Sequence, residues 1–175
     1  MLLVKKDINM NKEILREMQP AIEDNELNRV KALVEKNEGI LKEKTPFGTF
    51  LHDAASEGTL DIAKYLIECG VDVNEKGGAR DGSAITEASF EGYFDIVKLL
   101  MDNGALLDTS TFARNPLFAA IYNNHFDIVK ALVEKGIDIS VSYAIGDIES
   151  CDAYEYARQY GRTEIAEYLK EKMEK

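Results

Sequence analysis

His52 and His125 are the only two histidines in the sequence, and an imidazole that titrates near neutral pH can serve as a general base or a metal ligand. Neither has the partners for that work. No nucleophile stands at a helpful spacing, and the two do not form a His-x-x-x-His pair. Cys69 and Cys151 lack Cys-x-x-Cys spacing, which argues against a zinc site and against thioredoxin-type redox chemistry. They read as free thiols of a reducing cytosol. Gly77 to Gly82 is rich in glycine but has no Walker lysine and no strand-to-helix setting, so it reads as a flexible loop tip rather than a phosphate cradle. Glu87 and Glu91 could act as acid and base. At i, i+4, however, they are expected along one exposed helix face rather than across a cleft. No enzyme signature emerges, and no catalytic residue, cofactor or metal is expected.

The elements that carry these residues come in copies. Glu57 to Asn74 returns as Glu91 to Asp108 and again as Asn123 to Ile139. Each copy holds a turn residue (Gly58, Gly92, Asn124), then apolar pairs: Ile62/Ala63 and Leu66/Ile67, Ile96/Val97 and Leu100/Met101, Ile128/Val129 and Leu132/Val133. Pairs at i, i+1, i+4, i+5 fall on one side of a helix, and a glycine follows at Gly70, Gly104 or Gly136 as a left-handed cap. Weaker copies flank these three. Asn25 and Asn37 stand where glycines would, as residues tolerant of positive φ, and Gly161 leads into Ile165/Ala166 and Leu169. The period of about 33 residues signals stacked repeats.

A second apolar stretch precedes each turn: Phe50 to Ala55, Ala84 to Ser89, Asn115 to Ile121, and Ala153 to Arg158. With these stretches in place the sequence resembles the ankyrin repeat, whose pattern is Thr-Pro-Leu-His-x-Ala, a Gly-His turn, an Ile-Val and Leu-Leu helix, then Gly-Ala-Asp-Val-Asn. The likeness runs over roughly residues 20 to 172, and Asn115-Pro116-Leu117 and His52 keep parts of the opening motif. It implies an all-α solenoid of stacked helix-turn-helix units with extended finger loops. It also implies that His52 bonds turn backbone and holds register between repeats.

On this reading residues 1–10 form a partly disordered arm and 11–175 one ankyrin-repeat domain. Its units are 11–44 as N-terminal cap, 45–78, 79–111, 112–148 with a longer finger loop, and 149–175 as C-terminal cap. Asn11 to Met18 is expected as a short helix that Pro20 interrupts, polar along Lys12, Glu13, Arg16 and Glu17. In the fingers, Val71/Val73, Leu106 and Ile137/Ile139 are expected to tuck beneath the helices. The stretch from Ile137 to Asp152 is longer than its siblings, as insertions near binding faces often are.

A net charge of −11 argues against phosphate-backbone binding and favours a basic or neutral partner. No stretch approaches the ~20 apolar residues of a membrane span, and the protein is expected in the cytoplasm, monomeric on its own. On the second helices Lys64/Glu68, Lys98/Asp102 and Lys130/Glu134 predict ordinary paired surface. The first helices instead carry unbalanced acid at Asp53, Glu57, Glu87 and Glu91, giving way to Tyr122/Asn123 and Tyr156/Tyr160. By resemblance, Ser56, Glu57, Phe90, Glu91, Tyr122, Asn123, Gln159 and Tyr160 line a concave groove, with Phe47, Arg80, Phe112 and Arg114 near finger tips. The expected function is binding of a protein partner there, by a non-enzymatic interaction module. An immunity protein that neutralises a bacterial toxin enzyme and a self-assembling spacer are the alternatives.

Overall fold

The computed structural model describes residues 2–45 and 47–174. Ten α-helices lie among the described residues, in five antiparallel pairs. They are α1 (Leu2–Glu23) with α2 (Leu27–Lys36), α3 (Phe50–Glu57) with α4 (Leu60–Glu68), and α5 (Ala84–Glu91) with α6 (Phe94–Asp102). Then come α7 (Pro116–Tyr122) with α8 (Phe126–Glu134), and α9 (Ala153–Gln159) with α10 (Thr163–Met173). Within each pair the chain reverses through a left-handed residue: Asn25, Gly58, Gly92, Asn124 or Gly161. The predicted apolar stripe is the buried one, with Ile62, Ala63 and Leu66, Ile96, Val97 and Leu100, and Ile128, Val129 and Leu132 all shielded from water.

The helices stack in two rows. First helices follow one another as α1, α3, α5, α7, α9, second helices as α2, α4, α6, α8, α10, and the first row is the more closely packed. Side-chain size explains the difference. The first helices bury Ala54, Ala55, Ala84, Ala88, Ser89, Ala120 and Ala157, which let backbones approach, whereas the second row is filled by Ile, Val and Leu. The closer row is the inner arc of the stack, so the free face of the first helices is its inner surface. Each fully buried Phe50, Phe118, Leu66 or Leu100 contributes ~1.5–3 kcal/mol to the common core.

Polar bonds one repeat apart lock the junctions. The backbone N–H of Thr49 donates to His52 Nδ1 at 3.1 Å, which leaves Nε2–H to donate to the Gly82 carbonyl at 3.2 Å, one unit further on. Burial favours this neutral ring and lowers its pKa. His125 Nε2 and Asn123 Nδ2 both reach the Phe90 carbonyl, at 3.0 and 2.7 Å. Asn74 bonds the Gly104 carbonyl and the Leu106 N–H, and Lys76 pairs with Asp108 at 2.9 Å.

Several expectations are corrected. α1 begins at Leu2, so residues 2–10 are helical rather than an arm, and Pro20 lies inside it. Pro20 is exposed, so the carbonyl four residues earlier that loses its partner faces water. On that helix Glu13 and Arg16 are exposed, while Lys12 lies outside the described side chains. Asn37 is extended (φ −161°) rather than left-handed, because its side chain accepts the Gly39 N–H at 3.0 Å and opens a 3-10 turn. Leu106 is 68% exposed: Asn74 grips its backbone, and Leu107 packs on the core in its place. The three expected lysine–acid pairs do not close to ion pairs among the described residues. Lys98 and Lys130 lie instead over Phe94 and Phe126, 5.5 and 4.5 Å from the ring centroids. The long connection folds as a hairpin, β1 (Tyr143–Ile145) against β2 (Ile148–Cys151), tied back where the Tyr143 hydroxyl donates to the Thr109 carbonyl at 2.7 Å.

Candidate functional site

The inner surface carries a row of aromatic rings built by the repeat itself. Phe90 near the end of α5 and Tyr122 at the end of α7 are equivalent positions, Tyr160 just past α9 lies one residue further along its unit, and stacking the helices brings the three together. Phe90 stacks on Tyr122 at 5.7 Å between centroids, Tyr122 meets Tyr160 edge-on at 5.2 Å, and Tyr160 tilts against Tyr156 at 4.6 Å. Below them Phe118 contacts Tyr156 at 5.0 Å, and Phe112 from the finger contacts Tyr156 at 5.4 Å. Tyr156 and Phe118 are buried and act as the floor, whereas Phe112, Tyr122 and Tyr160 remain 37–43% exposed. Burial pushes the Tyr156 phenol up in pKa, so the floor stays uncharged.

Arg80 closes one end of this row. Its finger turns back through the Gly77–Gly82 bridge, which lays the guanidinium 3.5 Å from the Phe90 centroid and ion-pairs it with Glu87. Arg80, Phe90, Phe112, Phe118, Tyr122, Ile145, Tyr156 and Tyr160 together line an apolar pocket of about 290 Å3. Such a pocket suits an aromatic or aliphatic side chain.

On the far side of the Arg80–Glu87 pair lies a second, acidic depression of about 190 Å3. Glu23, Asp53, Glu57 and Glu87 line it with Gln19, Ser56, Phe47, Gly78 and Ala79. Asp53 is 8% exposed and Glu87 3%, and among the described residues Asp53 Oδ2 and Glu87 Oε1 have no hydrogen-bond partner. Burial, with Glu23 and Glu57 adding repulsion, pushes the Asp53 carboxyl up to about 6.

Of the residues expected in the groove, Phe90, Tyr122 and Tyr160 meet in the apolar pocket with Arg80 and Phe112, while Asp53, Ser56, Glu57, Glu87 and Phe47 meet in the acidic one. Three were expected as open surface and are not. Asp53, Glu87 and Tyr156 are buried, because α1 covers Asp53, the Arg80 finger covers Glu87, and Phe112 and Tyr160 cover Tyr156. Glu91 is exposed and lines neither pocket. Asn123 is spent on the Phe90 carbonyl, and Arg114 is held by Asp81, whose carboxyl it keeps below the usual range. Sequence reasoning missed Glu23, Gly78, Phe118 and Ile145. Their signal was position: Phe118 lies one turn before Tyr122 on the same helix, and Ile145 lies in the one lengthened finger.

Among the described residues no group of three or more His, Cys, Asp or Glu is placed to hold a metal, and no helix is long and apolar enough to cross a membrane. Both cysteines are free thiols, Cys69 exposed and Cys151 buried.

Comparison with known proteins agrees with this architecture. A family model described as ankyrin repeats (3 copies) matches residues 2–77, 18–111, 51–143 and 85–175. An ankyrin repeat protein of Rickettsia felis is 31% identical over 113 residues. That match covers 65% of this chain and 42% of the relative, so the chain spans less than half of that protein's length.

Proposed function

The chain belongs to the ankyrin-repeat family, a family of protein–protein interaction modules, and from that premise we propose that it binds a protein partner along the inner face of its first helices, without catalysis. The observation that carries this reading is the row from Phe90 through Tyr122 to Tyr160, which leaves large rings half-open to water around an apolar pocket. Exposed tyrosine beside apolar floor is the composition of binding anchors, since each ring covers much area at small entropic cost. A partner segment places one apolar side chain in that pocket and lies across the Arg80–Glu87 pair toward the acidic depression. The face is held by junction bonds before any partner arrives, so binding needs little ordering of this chain. The free thiols suit a reducing compartment, the cytoplasm.

The test is a double replacement of Tyr122→Ala and Tyr160→Ala, both on the open side of the row. A partner captured by the parent protein loses at least ~30-fold in affinity, about 2 kcal/mol for a lost anchor. Equal binding by parent and variant refutes the assignment of this face.

A further inference from the structure

We infer that the depression walled by Glu23, Asp53, Glu57 and Glu87 receives a single lysine or arginine side chain of the partner protein, an inference that rests on the groove reading above. Its floor is built from two carboxylates that the fold itself leaves unsatisfied. Asp53 and Glu87 are more than nine-tenths buried, and the only cation paired with either, among the described residues, is Arg80, which is bonded to Glu87 Oε2. Among the described residues, Asp53 Oδ2 and Glu87 Oε1 remain without a donor. Buried oxygens in that state cost free energy that an incoming N–H donor recovers, most of all a charged one.

A glycine lets the finger lie close against one of them. Gly78 is left-handed at φ +70°, and a Cβ there would stand 2.7 Å from Glu87 Oε1, so any larger residue would crowd the carboxylate. The volume of about 190 Å3 equals roughly six waters, which fits an unbranched chain with a charged tip. Phe47, 55% exposed on the rim, offers a ring face along which the aliphatic stem of such a chain can lie. A bare metal ion is a poor occupant, because these carboxylates are not arranged as a ligand set. The depression shares the Arg80–Glu87 wall with the apolar pocket, so one short partner segment can fill both.

The probes are N-acetyl-lysine amide and N-acetyl-arginine amide, titrated at millimolar concentration into the isotopically labelled full chain and followed by NMR. The expected result is shifts confined to the neighbourhood of Asp53, Gly78, Ala79 and Glu87, with none from the uncharged N-acetyl-norleucine amide. Asp53→Asn, which removes charge from the floor without emptying it, weakens the lysine probe about tenfold. Shifts spread evenly over remote acids such as Glu164 and Glu171 overturn the inference, as do equal shifts from norleucine amide. A 1,4-diaminobutane probe that binds tenfold tighter than capped lysine overturns the assignment to a protein side chain. Because no partner is present in these titrations, their failure is separate from that of the tyrosine test: a partner sensitive to Tyr122 and Tyr160 with no cation effect leaves the groove and removes the pocket.

Discussion

Asp53 carries a carboxyl group enclosed by α1, α3 and the Gly78 finger, with Glu23 and Glu57 as its charged neighbours. Its carboxyl is pushed from 3.8 to about 6, so between those values the folded chain holds a proton that the unfolded chain has released. Stability from this group is therefore complete below about pH 4 and lost as pH rises through 6. Replacing Asp53 with Asn should leave stability unchanged near pH 3.5 and raise it by about 2 kcal/mol at pH 7.5, the two-unit shift discounted for the amide left in the same place. Urea denaturation of both proteins across that range measures it. His52 titrates in the opposite sense, its neutral form being the buried one, but it is common to both proteins and cancels in the difference. A gain that does not vary with pH would show that packing, not ionisation, separates them. The helix period puts Asp53 and Glu87 on the side of their helices turned away from the second helices. It could not reveal their burial, which depends on a finger folding back and on a helix from the preceding unit, contacts far apart in sequence.

At the scale of the element, each helix pair reads out its own boundaries, and two equivalent-looking glycines separate local from long-range demands. Gly92 ends α5 at φ +92° and Gly104 follows α6 at φ +83°. Beside Gly104 there is open space, whereas a Cβ at position 92 would stand 2.4 Å from the ring of His125, which is itself bonded to the Phe90 carbonyl. Gly104→Ala should cost only the left-handed strain, about 1 kcal/mol, while Gly92→Ala adds the displaced ring and its junction bond for about 2–3 kcal/mol in all. Thermal unfolding of the two variants checks the order, and equal losses would mean that the His125 bond contributes nothing. The backbone requirement was legible in sequence because only glycine and asparagine recur there. Asn37 was misread for the same reason, since asparagine serves equally as a left-handed residue and as a side-chain acceptor, and here the Gly39 N–H decided between them. The hairpin of residues 143–151 was legible only as extra length, because its pairing needs Tyr143 anchored on the previous repeat.

Over the whole molecule the stack divides its labour between charge and rings. A net charge of −11 belongs to the chain at large, and the aromatic row belongs to one end of one face. The repeat period was enough to give the all-α stack, because each unit contacts only its neighbours and repeats the same burial. The relief of the inner face was not legible, since it comes from Arg80 crossing onto Phe90 and dividing the face into an apolar and an acidic part. In the proposed binding these two parts act on different steps. Diffuse negative charge attracts a basic partner over distances near the Debye length, ~8 Å at physiological salt, and so governs association, whereas a ring seated in a pocket governs departure. For a captured basic partner, raising salt from about 50 to 500 mM should slow association roughly tenfold or more, with the dissociation rate changed less than about twofold. Tyr122→Ala should do the reverse, hastening dissociation at least tenfold with association held within a factor of about two. Surface plasmon resonance on both proteins at both salt concentrations separates the outcomes. If salt acted on dissociation as strongly as on association, the cation seated in the acidic depression, not the aromatic row, would be the main anchor.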